Sequence, residues 1–185
     1  MRKVERGELV DYETYRETRE VTRKVIIGEV KPPRRVDVGD YLTFVFENAE
    51  TVRYQIQEMM LAEKIVKEAD IQHELETYNA LLAGDGELGC TLLVGVQDAA
   101  LRARRLREWR HLPEHVYIRC ADGARVPARF DRAQIDEEKI SAVQYLQFAM
   151  DGRRPVAVGC ALPALTAEAE LTAEQQAALL ADLAG

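Results

Sequence analysis

The spacing of hydrophobic and polar positions changes several times along this chain, and each change marks an element. From Asp11 to Glu29 apolar residues recur at helical spacing in a charged background; Asp11 can cap the first turn and Pro32-Pro33 forbids continuation. Arg34 to Glu47 turns to alternation: Val36 and Val38 lead into a turn at Gly39-Asp40, and Tyr41 to Phe46 is rich in β formers. Asn48 ends that strand. Glu50 to Glu68 then reads as one helix without Gly or Pro, and a second runs from about Asp70 to Leu82, stopped by Gly84-Asp85-Gly86.

The second half returns to strands. Glu87 to Val96 is one, followed by a helix from Asp98 to His111 that Pro113 closes. His115 to Phe130 reads as a hairpin turning at Asp122-Gly123. Ile140 to Met150 is a further strand, and Pro155 to Ala161 an edge strand. A closing helix over 172–184 opens on a capping box, Thr172 with Gln175. Hairpins interrupted by helices predict an α+β fold, with one mostly antiparallel sheet and helices packed on one face. The 185 residues suit a single domain, 1–185, with the helices over 11–29 and 172–184 as peripheral elements.

Composition narrows the function classes. A net charge of −7 disfavours nucleic acid and anionic membranes as partners, because both are bound through Lys and Arg. No window approaches the ~18 apolar residues of a membrane span, and the opening MRKVERGELVDYETY lacks the apolar run of a signal peptide. Cys90, Cys120 and Cys160 are scattered and form no CxxC pair, so they predict buried apolar residues in or beside strands rather than disulfides or a zinc site. These features point to the cytoplasm. No GxGxxG, Walker loop or nucleophile–base arrangement is legible.

Three places could carry chemistry. On the helix over 50–68, Val52, Ile56, Met59, Met60 and Val66 form one apolar stripe and Tyr54, Leu61 and Ile65 another, as for a helix sandwiched between other elements. Glu63 falls within the first stripe, which predicts a buried carboxylate paired with an Arg, a His or a metal, or else a stripe that is wet at its end. His73 and Glu76 share a face of the next helix, solvated or ready to hold one ion between them. Glu58, Glu63, His73 and Glu76 together could ligate iron or manganese if the two helices pack antiparallel, and a redox enzyme built on them is one reading. The third place is the helix over 98–111. Its Arg102, Arg105 and Trp109 project to one side, either as a solvated face with the indole tucked inward or as a site for an acidic partner, a phosphate or a single nucleic-acid strand.

Several stretches also carry a likeness: Phe46-Glu47-Asn48, Thr51 to Met59, Ile71 to Asn79, Glu87-Leu88 before Thr91-Leu92, His115-Val116-Tyr117 and Ser141 to Leu146. Over nearly its whole length the chain resembles a bacterial family of unknown function whose genes lie beside those for rubrerythrin and a heterodisulfide-reductase-type iron–sulfur oxidoreductase. The resemblance implies peroxide defence or redox metabolism, with those two proteins as partners, and brings no catalytic residues with it. It draws attention to the two central helices, where Arg53, Gln57, Tyr78 and Asn79 are the candidates for binding a ligand or cofactor. The expected function is that of an accessory protein binding a partner or small ligand; homo-oligomerisation is compatible with the sequence.

Overall fold

The computed structural model describes residues 2–136 and 138–185. Its first helix, α1 (Tyr12–Val25), continues through a π turn, Ile26–Val30, and Asp11 caps it by accepting from the N–H groups of Glu13 and Thr14. Strands β1 (Arg35–Val38) and β2 (Leu42–Glu47) form the expected hairpin, with Gly39 at φ 59° in the turn. Asn48 then caps α2 (Ala49–Glu63) in a capping box with Thr51.

Here the chain departs from the single helix expected over 50–68. α2 ends at Glu63, Lys64 takes a left-handed conformation at φ 53°, and the Ile65 N–H donates to the Met60 carbonyl. The stop needs no glycine because the turn carries Ile65 onto the apolar cluster that holds Met60, a gain set against the strain at Lys64. α3 (Glu68–Asn79) follows, then β3 (Glu87–Val94), α4 (Ala99–Glu108, capped by Asp98), β4 (Val116–Cys120), β5 (Arg125–Pro127), β6 (Val143–Ala149), β7 (Pro155–Cys160), β8 (Ala167–Glu170) and α5 (Ala173–Ala184).

The α+β class and the antiparallel hairpins are as expected, but the strands divide into two sheets rather than one: β1-β2-β3-β6 and β5-β4-β7-β8. They meet where Arg129, just beyond β5, pairs with Gln147 of β6. β7 is an interior strand, not the expected edge. Its Pro155 is tolerated as the first residue, beside a bulge at Cys120, and its far side is covered by β8, whose Ala-Glu-Ala-Glu sequence carries little β propensity.

The main core lies between the sheets, built from inward residues such as Phe44, Leu88, Leu92, Ile118 and Val158. Leu106 and Trp109 from the α4 region and Leu179 of α5 join it. A second apolar cluster, Val52, Ile56, Met60, Ile71, Leu75 and Leu82, joins α2 to α3 and takes in Val4 and Leu9 from the opening segment. Cys90, Cys120 and Cys160 are free and buried in or beside strands. No helix among the described residues is long and apolar enough to cross a membrane.

Candidate functional site

The four carboxylate and imidazole residues expected to share a metal are not brought together. Glu58 faces α1, where its carboxylate accepts from Arg19 at 2.8 Å through both oxygens and from the Tyr15 hydroxyl at 2.7 Å. Glu63 is exposed at the end of α2 and Val66 beyond it is 70% exposed, so the apolar stripe ends at Met60 and the expected buried carboxylate does not exist. His73 and Glu76 are exposed on α3. Among the described residues no three His, Cys, Asp or Glu side chains assemble as a metal site.

Glu58 has a structural task instead. The Arg19 guanidinium, and after it the Tyr15 hydroxyl, hold its carboxyl below the usual carboxylate range. A carboxylate depressed in the folded state contributes stability above its ordinary pKa and loses it as the pH falls through the folded value. Protection of the α1 amides, taken relative to the intrinsic exchange rate at each pH, should therefore fall in acid before that of the strands, and Glu58→Gln should remove that pH dependence while leaving α1 looser at neutral pH. An acid response in α1 that is unchanged in Glu58→Gln would assign it to another group.

Two of the four expected ligand-binding residues read backbone. The Gln57 amide donates to the Val10 carbonyl at 3.1 Å and accepts from the Val10 N–H at 2.7 Å. The Asn79 amide does the same to Val4, at 2.9 Å in both directions. Their ligand is thus the chain's own opening segment. Arg53 is half-buried beside Glu8, whose carboxyl is lowered to about 2, chiefly by Arg2, with Arg53 adding a smaller share.

Tyr78, the fourth, lines a groove. It lies between the end of α3 and the outer face of β6, has a volume of about 460 Å³, and is walled by Tyr78, Leu81, Phe130 and Tyr145 with Arg129 and Gln134 at its rim. Gly89 permits this geometry: the Leu81 carbonyl sits where a Cβ on Gly89 would be, 2.1 Å away. Tyr145 is 47% exposed, unusual for so large a ring. Its backbone is fixed from the side by Gln134, whose amide accepts from the Tyr145 N–H at 2.7 Å and donates to its carbonyl at 3.0 Å. Arg129 at the rim donates to Glu87 at 2.6 Å. Apolar walls with a few oriented polar groups are the usual make-up of a small-ligand site. Phe130, Gln134 and Tyr145 were not legible as partners of Tyr78, because only the fold brings the segment after β5 beside β6.

The remaining candidates resolve as structure. Trp109 is 1% exposed, packed on Tyr41 at 5.3 Å with the Arg105 guanidinium 5.4 Å from its ring centre, so its indole offers no platform for a base. Arg102 is spent on the Val96 carbonyl. Burial pushes all three cysteine thiols up, most strongly Cys90, the opposite direction from an activated thiolate.

No curated protein matches the chain. A crystal structure of a novel protein of unknown function from Burkholderia pseudomallei K96243 is 30% identical, covers 98% of this chain and 100% of its own, and superposes with a TM-score of 0.89. A family model described as protein of unknown function (DUF3501) matches residues 3–183, and the chain belongs to that family.

Proposed function

We propose that this protein is a non-catalytic accessory component of a rubrerythrin-linked redox or peroxide-defence system, and that the groove between α3 and β6 holds a small ligand or a side chain of a partner protein. The groove carries the binding reading: an exposed aromatic ring, Tyr145, lines it together with Tyr78, Leu81 and Phe130 and the polar side chains of Arg129 and Gln134. Aromatic side chains supply large contact area at small entropic cost, and their exposure in one concave place is the mark of a binding surface. The redox setting, with rubrerythrin and the iron–sulfur oxidoreductase as partners, rests on the sequence resemblance.

The test is anaerobic co-purification with each of those two proteins, using the wild-type chain and a Tyr78→Ala/Tyr145→Ala variant. Retention of one partner is expected, weakened about tenfold or more in the variant, since buried aromatic anchors cost at least ~2 kcal/mol on truncation. Equal retention by the folded variant removes the groove from the interaction. No retention of either protein by the wild type removes the redox setting.

A further inference from the structure

Side-chain amides and peptide groups are the same chemical group. An Asn or Gln that both donates to and accepts from one residue's backbone recognises the peptide without regard to its side chain. α2 and α3 each present one such amide, Gln57 and Asn79, and both are filled by the segment over residues 2–10. Between the two clamps, Val4 and Leu9 enter the apolar cluster formed by Ile56, Met60, Ile71 and Leu75. The seat therefore has the parts of a peptide site: backbone clamps that hold any sequence, and apolar pockets that select two positions.

The occupant is organised largely within itself. Arg2 donates to Glu8 at 2.7 Å through two nitrogens, the Glu5 N–H donates to Glu8, and Arg6 donates to the Leu9 carbonyl around a 3-10 turn over Arg6–Glu8. These bonds travel with the segment if it lifts. The two clamps, the two anchors, an exposed contact from Arg6 to Glu68 and the charge of Arg53 beside Glu8 tie it to the seat. An open trough of about 720 Å³ runs alongside, lined by Arg6, Gln72, Glu76 and Asn79. Few buried contacts beside open solvent give a segment that opens locally, without global unfolding.

We propose that the α2–α3 seat is a peptide-binding site, that residues 2–10 occupy it as a tethered internal ligand, and that a segment of a partner protein displaces them. The ligand class follows from the occupant: a short peptide with two apolar residues separated by four polar or small ones, as in Val4-Glu5-Arg6-Gly7-Glu8-Leu9, able to make one tight turn between them. This site is separate from the groove beside β6 and stands whether or not that groove binds anything.

The probe is a fluorescent synthetic peptide of residues 2–11 of this chain, its binding followed by anisotropy on full-length protein. Wild type should bind it weakly, because the tethered segment competes at high effective concentration. Val4→Asp/Leu9→Asp, which weakens the internal ligand, should bind it at least about tenfold more tightly, and adding Asn79→Ala should reverse most of that gain. A folded Val4→Asp/Leu9→Asp chain that binds no better than wild type, or whose binding ignores Asn79→Ala, overturns the proposal. If that variant does not fold, hydrogen exchange of the wild type decides. Val4 and Val10 amides exchanging about tenfold or more faster than those of Phe44 and Leu92 support a detachable segment. Exchange at the same rate as the strands overturns it.

Discussion

Gly89→Ala should be among the most damaging single-methyl changes in this protein, lowering stability by at least about 3 kcal/mol in urea unfolding. Gly89 lies in β3 between the inward residues Leu88 and Cys90, so its missing side chain faces outward, beneath the end of α3. A Cβ there would lie 2.1 Å from the Leu81 carbonyl oxygen and 3.3 Å from the Ala83 nitrogen. Both are backbone atoms, and no rotamer change relieves the contact. The turn after α3 must lift, which withdraws Leu82 from the cluster shared with Ile71 and Leu75 and moves Tyr78 and Leu81 out of the groove wall. Binding at the groove should fail together with stability. A change of less than about 0.5 kcal/mol, the range of ordinary surface substitutions, would show that α3 does not bear on the sheet this closely.

That glycine illustrates how far the sequence could be read. Elements with local signals were legible to within a few residues: the Asp11, Asp98 and Thr172 caps, the strand end at Asn48, and the turns at Gly39-Asp40 and Asp122-Gly123, where the chemistry sits in one short stretch. Elements decided by distant partners were not. The stop at Lys64 depends on where Ile65 is buried, and β8 exists because β7 offers it an edge, despite its Ala-Glu sequence. Alternation told which side of each strand is buried but not which strands are neighbours, so two sheets read as one. The site followed the same rule. Gln57, Tyr78 and Asn79 fell within the stretches that the family resemblance singled out; the structure bonds Gln57 and Asn79 to the opening segment and sets Tyr78 in the wall of the groove. What they touch could not be read, because Val4, Val10 and Tyr145 approach from remote parts of the chain. Glu63 misled because the apolar stripe was extended past the true end of its helix.

The largest electrostatic effect should come from a pair that sequence reading could not join. Arg34 follows the proline pair at the entry to β1, and Asp182 is in the last turns of α5. The Arg34 guanidinium donates to both oxygens of Asp182, at 2.7 and 2.8 Å, and also to the Val30 carbonyl, while the Asn48 amide donates to the same carboxylate at 3.3 Å. The two side chains are only 12% and 7% exposed, so water screens them little. Truncating one partner strands the other charge in a desolvated place, which costs roughly 3–5 kcal/mol, whereas replacing both by apolar residues of similar volume costs far less. Asp182→Ala is therefore expected to fall in that range and to free α5, drawing Leu179 from the core between the sheets. Arg34→Lys should recover little, because an ammonium cannot reproduce the two parallel bonds of the guanidinium fork. Arg34→Met/Asp182→Leu should unfold closer to wild type than Arg34→Met or Asp182→Leu alone, and these three variants with the wild type form a double-mutant cycle that gives the coupling directly. Additive single losses, or an Asp182→Ala chain within about 1 kcal/mol of wild type, would place the pair among ordinary surface ion pairs. The same carboxylate touches the residue that caps α2, so a loosened α5 should carry through Asn48 to the helix that bears Gln57, and strain the clamp on Val10 from a distance.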